Sequence, residues 1–99
     1  MLKITKAREN NALTVTLEGR LDTTTAPLLE AELKDALPGV AALTIDMHRL
    51  EYISSAGLRV LLSAQKVMNK QGEIKITGVN DVIMEIFEVT GFSDILNIV

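Results

Sequence analysis

Segments of strand period and segments of helical period alternate along this chain, and their order leaves few possible folds. Residues 2–5 and 13–18 alternate apolar with polar side chains, which is the period of half-buried strands. Asn10 and Asn11 lie between them, and asparagine tolerates the left-handed backbone of tight turns, so an antiparallel hairpin is predicted. Further strands are predicted at residues 42–47, 73–77 and 95–98.

Three helices are predicted between the later strands. The first has leucines spaced four residues apart and ends at Pro38, and the second begins near Ser55. The third begins after Asn80, a typical N-cap residue, and ends at Gly91; its buried face is predicted to be Val82, Ile83, Ile86 and Phe87. Because helices connect the later strands, those strands should run parallel beside the hairpin. The predicted fold is therefore α/β, a mixed β-sheet covered by helices, in a single domain over residues 1–99.

Composition excludes several classes of function. The formal net charge is -3 and the basic residues are scattered singly, so nucleic-acid binding is not expected. There is no cysteine and only one histidine, which excludes disulfides and thiolate zinc sites, and no cofactor or metal is expected. No segment reaches the ~20 apolar residues of a membrane span, so the expected location is cytoplasmic, without membrane insertion.

An enzymatic interpretation has little support in the sequence. Asp46, His48 and Ser55 supply the residue types of a serine hydrolase, but His48 is predicted to lie in a solvated loop after the third strand. No Gly-x-Ser-x-Gly elbow surrounds Ser55, and no Walker loop or dinucleotide fingerprint is present. We expect a protein that is not an enzyme and keep a serine hydrolase as a remote alternative.

Two features at the start of the second helix have both a structural and a functional interpretation. One hydroxyl of Ser54 and Ser55 is expected to cap the helix, but free amides and the positive end of the helix dipole also favour a bound or attached phosphate there. Gly57 allows close packing of the helix on the sheet. The small Ala56 and Gly57 would also leave space beside Ser55 for the backbone of another molecule, and the two explanations are compatible.

The second helix also has a wide apolar surface. Its main face consists of Leu58, Leu61, Leu62, Gln65 and Met68, and Val60, Ala64 and Val67 extend the apolar surface sideways. Burial against another helix is the first explanation for this extension, and a docking surface is the alternative. Weak self-association through the extension also stays open.

Three segments match the pattern of a known family: residues 19–22 (GRLD), 52–60 (YISSAGLRV) and 91–92 (GF). They resemble the STAS domains of anti-sigma factor antagonists, and the resemblance spans nearly the whole chain. In that family, a partner that is both an anti-sigma factor and a serine kinase of GHKL type phosphorylates a serine at the start of the second helix. Ser55 matches this serine. The resemblance implies that the unphosphorylated protein sequesters the partner and frees a sigma factor or another output, whereas the phosphorylated form releases the partner.

The resemblance also implies a surface around Ser55. Asp22 matches a family aspartate expected near that surface, although it could instead cap the first helix in competition with its threonine neighbours. The family commonly has aspartate where Ser54 stands, which makes Ser54 a competing acceptor, and glycine where Arg59 stands. The expected partner-binding residues are Asp22, Thr23, Ser54, Ser55, Ala56, Gly57, Arg59 and Val60.

Further partners follow from the same resemblance. A PP2C-type phosphatase is expected in addition to the kinase, and the protein is expected to be a monomer when free. Related STAS domains also serve as small accessory subunits of lipid-transport ATPases. That role is the alternative function.

Overall fold

Four strands form one mixed sheet in a computed structural model that describes residues 1–99. Strands β1 (Leu2–Glu9) and β2 (Ala12–Leu21) pair antiparallel, and β3 (Ala42–Ile53) and β4 (Glu73–Thr77) follow in parallel, in the order β1-β2-β3-β4. Asn10 adopts φ 58° in the turn that closes the hairpin. The predicted hairpin and mixed sheet are confirmed.

Three helices follow β2, β3 and β4: α1 (Ala26–Ala36), α2 (Ser55–Gln71) and α3 (Asp81–Thr90). Asn80 caps α3 as predicted, because its side-chain oxygen accepts the Ile83 N–H at 2.9 Å. The same side chain donates its amide to the Leu50 carbonyl at 2.9 Å, which ties the start of α3 to the sheet. Gly91 ends α3 with φ 82°, in the left-handed region that glycine adopts without strain. None of these helices is long and apolar enough to cross a membrane.

The core lies on one face of the sheet. Leu13, Leu43 and Ile74 are neighbours in register across three strands, and all three are buried. They belong to a single cluster of 25 buried apolar residues that also includes side chains from all three helices. The alternate positions of the strands are mainly threonine and charged residues that face solvent. The helices therefore pack on one face and leave the other open.

Strand β3 extends beyond its predicted end at residue 47, so the prediction that His48 lies in a loop is wrong. Two irregularities in the β2–β3 pairing explain the difference. At each of them β3 contributes one more residue than β2, first between Asp46 and Arg49 and then between Leu50 and Tyr52. Each extra residue breaks the alternation in the sequence, but it leaves the inward pairing intact, so Leu50 and then Ile53 lie on the core side, where both are buried.

Two further predictions differ from the structure. The strand at residues 95–98 is reduced to one parallel bridge between Ile76 and Ile98, because a 3-10 turn at Phe92–Asp94 takes up the preceding chain. Val82 does not join the buried face of α3 and is 58% exposed. The buried residues are Ile83 and Phe87, whose spacing of four sets the orientation of the helix.

Candidate functional site

The junction between β3 and α2 presents unpaired backbone amides. Ser54 is the N-cap residue, with extended backbone at φ -100° and ψ 175°, and its N–H donates to the Leu21 carbonyl at 2.9 Å. Its own carbonyl accepts the Leu58 N–H at 3.0 Å, the first hydrogen bond of the helix. The three N–H groups before Leu58 therefore have no acceptor within the helix, and the helix dipole is positive at this end.

The two serines at this junction have opposite environments. Ser55 is exposed as the first residue of α2. The Ser54 hydroxyl oxygen is buried and has no hydrogen-bond partner. The prediction that one of these hydroxyls caps the helix is therefore wrong, because no side-chain oxygen accepts a hydrogen bond from the first turn. Ser55, and not Ser54, is therefore the serine that a partner can reach at this junction.

Gly57 lets α2 approach the sheet closely. A β-carbon at this position would lie 2.7 Å from Leu21 Cγ and 2.9 Å from Ile53 Cγ1, closer than side chains tolerate. This confirms the close-packing interpretation. The space left by the missing side chain of Gly57 is taken up by the sheet. The prediction that Ala56 and Gly57 leave space beside Ser55 for another molecule stays a prediction.

Asp22 organises the loop that leads into α1. Its Oδ1 accepts the N–H of Thr24 at 3.0 Å, the N–H of Thr25 at 3.1 Å and the Thr24 hydroxyl at 2.8 Å. Thr25 Oγ1 in turn donates to the Arg20 carbonyl at 2.8 Å and accepts the Asp22 N–H at 2.8 Å. Asp22 therefore caps the turn that precedes α1 and not the helix itself, whose N-cap residue Thr25 makes no side-chain capping hydrogen bond. The hydrogen bond from the Thr24 hydroxyl is the largest cause that lowers the pKa of the Asp22 carboxyl, and it outweighs the opposing effect of burial.

This lowered pKa predicts a pH dependence of stability. A folded-state pKa below the unfolded value means that the Asp22 carboxylate stabilises the fold at neutral pH, and the contribution is lost as pH falls through the folded pKa. We expect Asp22→Asn to lower the melting temperature at pH 7, and the difference from wild type to shrink as pH falls below about 4. Thermal denaturation followed by circular dichroism measures this. Asp35→Asn, at an exposed acid, controls for the loss of one charge. A difference for Asp22→Asn that stays constant across the pH range would contradict the prediction.

A cleft beside Ser55 joins the loop of Asp22 to the start of α2. It has a volume of about 190 Å³ and lies between the first turns of α1 and α2. Four of the predicted partner-binding residues line this cleft: Thr23, Ala56, Arg59 and Val60. Pro27 and Glu30 of α1 also line the cleft and were not predicted. Nothing in the sequence pattern identifies them, because their position depends on how α1 approaches α2.

An apolar groove continues from this cleft along α1 and α2. Its volume is about 200 Å³, and its lining includes Leu33 and Leu37 of α1 and Val60 and Ala64 of α2. Val60 and Ala64 are buried, so burial against a neighbouring helix is the correct explanation for most of the sideways apolar extension of α2. Val67 remains 41% exposed at the edge of the groove.

The hydrolase residues do not assemble into a catalytic site. The His48 Nδ1 lies 2.7 Å from Asp46 Oδ1, but neither residue forms a hydrogen bond with Ser55. Burial raises the pKa of Asp46, whereas the hydrogen bonds from the His48 backbone and imidazole lower it, and the net direction is down. A Ser55 nucleophile would have no base in reach.

Comparison with known proteins places this architecture in a family. A family model described as "Mlab, STAS domain" matches residues 4–98. This chain belongs to the STAS domain family. The resemblance stated from residues 19–22, 52–60 and 91–92 is confirmed.

Relatives of this STAS domain are anti-sigma factor antagonists. The protein BtrV of Bordetella bronchiseptica is 38% identical over 96 residues, which cover 95% of this chain and 83% of BtrV. The anti-sigma-B factor antagonist of Listeria monocytogenes is 32% identical over 96 residues, covering 94% of this chain and 83% of that protein. Such antagonists are binding proteins, and the prediction that this STAS domain is not an enzyme is confirmed.

Solved structures show that the fold is shared. An anti-sigma factor antagonist from Mycobacterium paratuberculosis superposes with TM-score 0.90 at 20% identity, over 99% of this chain and 85% of that one. SpoIIAA in its unphosphorylated form superposes with TM-score 0.76 at 14% identity, over 100% of this chain and 87% of that one. The phosphorylated form of SpoIIAA also superposes with TM-score 0.76, at 15% identity, over 98% of this chain and 91% of that one.

Proposed function

We propose that this STAS domain is an anti-sigma factor antagonist whose partner binding is controlled by phosphorylation of Ser55. The unmodified protein binds an anti-sigma factor that is also a serine kinase of GHKL type, in the cytoplasm, and thereby frees a sigma factor or another output. Phosphorylation releases the partner, and a PP2C-type phosphatase restores the binding form. The single observation that supports this most directly is the exposure of Ser55 at the start of α2, beside a cleft.

The environment of Ser55 suits this switch. A phosphate adds about -1.5 to -2 charge and three acceptor oxygens to a surface that would otherwise be in close contact with the partner. The unpaired amides at the start of α2 stabilise the phosphate in the free protein. Glu30 lies on the opposite wall of the cleft and repels it, whereas the exposed Arg59 side chain attracts it. We therefore expect the free protein to accommodate the phosphate charge on Ser55, and the same charge to oppose binding of the partner.

The comparisons support the same proposal. The Listeria relative is an anti-sigma-B factor antagonist, and SpoIIAA, which has the same fold, occurs in phosphorylated and unphosphorylated forms. The partner-binding surface that we propose consists of the cleft residues Thr23, Ala56, Arg59 and Val60 around Ser55, with Asp22 holding the loop in place. Gly57 acts through packing, and Ser54 supports the junction.

The site of modification can be located by mass spectrometry. The protein is incubated with ATP and its cognate serine kinase, and phosphopeptides are mapped in wild type, Ser54→Ala and Ser55→Ala. We expect loss of the phosphate only in Ser55→Ala, because the Ser54 hydroxyl is buried. Ser63→Ala, at an exposed serine of the same helix, is the matched control and should be phosphorylated as wild type is.

Two outcomes would contradict the proposed function. Loss of the phosphate only in Ser54→Ala would show that the buried hydroxyl is the acceptor. Absence of both phosphorylation and kinase binding in the wild type would reject the switch itself.

A further inference from the structure

The outer face of α3 leaves apolar side chains in solvent. Val82 is 58% exposed and Val89 is 80% exposed, and the half-buried Ile86 lies between them on the same row. Positions i, i+4 and i+7 of a helix form one continuous stripe. A hollow of about 270 Å³ runs along this stripe between Val82 and Thr90. We call these three residues the valine row.

An acidic row borders the valine row. Asp81, Glu85 and Glu88 repeat the same spacing on α3 and are all exposed. No lysine or arginine occurs after Lys75, so nothing within the last 24 residues neutralises these charges. Glu88 lies near the C-terminal end of α3, where the helix dipole disfavours a negative charge, and the last turn contains no basic residue. Asp81 lies in the first turn, where the helix dipole favours an acid, so helix stability explains this residue but not Glu85 and Glu88. A basic surface is the natural complement of these two charges.

The same chain presents such a basic surface on α2. Arg59, Lys66 and Lys70 are exposed on one side of this helix, and α2 contains no aspartate or glutamate. This basic row adjoins the face of α2 that lines the apolar groove, where the partly exposed Val67 lies at the edge. The lining from α1 includes one charge of each sign, Glu30 and Lys34. Each surface thus combines an apolar feature with a charged row. On α3 the apolar feature is the exposed side chains of Val82 and Val89 with the hollow between them, on α1 and α2 it is the groove, and the two charged rows are of opposite sign.

We propose that two copies of this protein associate by docking α3 of one copy into the α1–α2 groove of the other. The valine row enters the groove, and Glu85 and Glu88 face Lys66 and Lys70 of the second copy. A second copy is the occupant that fits, because it supplies both a basic row for the acidic row and an apolar groove for the exposed side chains of Val82 and Val89. The inference does not depend on phosphorylation of Ser55.

The geometry determines how the association should behave. Two different surfaces meet, so the contact is heterologous and each copy can contact two neighbours. Single helices in a groove bury less than the ~1,200 Å² typical of stable complexes, so the association is weak and reversible. Because the charged side chains are exposed, the association of two copies should weaken as added salt shortens the Debye length to about 3 Å at 1 M.

Sedimentation velocity of the full chain tests this. We expect the weight-average mass to rise beyond that of a dimer between about 10 µM and about 1 mM protein, and to return towards the monomer in about 1 M NaCl. A mass that stays monomeric over this range at low salt would overturn the proposal, and so would association that is unchanged in high salt.

Charge reversal identifies the surfaces. Glu85→Lys with Glu88→Lys should abolish association, as should Lys66→Glu with Lys70→Glu, since like charges then meet. An equimolar mixture of these two variants should associate again, because each contact between unlike copies is once more a pair of opposite charges. All four side chains are exposed, and circular dichroism verifies that the variants are folded.

A matched control separates this contact from a general effect of charge. Lys3→Glu with Lys75→Glu changes the net charge as Lys66→Glu with Lys70→Glu does, but at exposed strand positions. This control should associate as wild type does. Failure of the mixture to associate would overturn the assignment of the two surfaces, as would loss of association in this control.

Discussion

Phosphorylation of Ser55 is expected to lower the affinity for the proposed partner, an anti-sigma factor kinase, by about a hundredfold, which corresponds to ~3 kcal/mol. The physical reason is that a dianionic group is placed on an exposed residue beside a narrow cleft, where partner atoms would have to replace water. Isothermal titration calorimetry with the phosphorylated protein, the unmodified protein and Ser55→Ala measures this. Ser55→Ala should bind as tightly as the unmodified form does.

The control for this measurement is a negative charge elsewhere on α2. Asn69→Asp adds one charge with almost no change of shape, and the aspartate oxygen can still accept the amide of Gln65, which Asn69 Oδ1 accepts at 2.8 Å. It should bind as wild type does, whereas Ser55→Asp should bind more weakly. Equal affinities of the phosphorylated and unmodified forms would contradict the switch. Equal weakening by Asn69→Asp and Ser55→Asp would mean that only net charge matters.

Phe87→Ala is expected to lower the free energy of unfolding by about 3–5 kcal/mol. Phe87 is completely buried and, with Ile83, forms the contact of α3 with the core. Truncation removes the apolar contacts and leaves a cavity that the sheet cannot fill. Urea denaturation followed by circular dichroism gives the value from the shift of the midpoint at constant slope.

Val89→Ala is the matched variant for the same helix. Val89 lies two residues after Phe87 and is 80% exposed, so its truncation should change the free energy of unfolding by less than about 0.5 kcal/mol. A loss as large as that of Phe87→Ala would mean that Val89 is buried in solution. The orientation of α3 described above would then be wrong.

Regular ladders and caps were predictable from the sequence because they leave a periodic signal. The hairpin follows from strict alternation on both sides of Asn10 and Asn11, and β4 begins and ends at the predicted residues 73 and 77. Asn80 and Gly91 identify the ends of α3, because each has a local backbone function. The family resemblance and the position of Ser55 at a strand-to-helix junction depend on such local signals.

The errors arise where tertiary structure overrides the local signal. The end of β3 could not be read from the sequence, since two polar residues at 48 and 49 interrupt the alternation where the pairing is irregular. The cleft beside Ser55 depends on the approach of α1 to α2, so no sequence pattern indicates Pro27 or Glu30. The burial of the Ser54 hydroxyl oxygen could not be predicted from the sequence either, because a serine directly before a helix normally caps that helix.

The two irregularities in the pairing of β2 with β3 also limit what a change of length here can do to the end of β3. Each adds one outward-facing residue to β3, and Val15 with Ile45 before them and Leu21 with Ile53 after them remain in register. Deletion of one extra residue, such as His48, would therefore remove one irregularity and leave Ile53 opposite Leu21 and facing the core. The strand that leads to Ser55 should thus tolerate the loss of an extra residue without turning the junction.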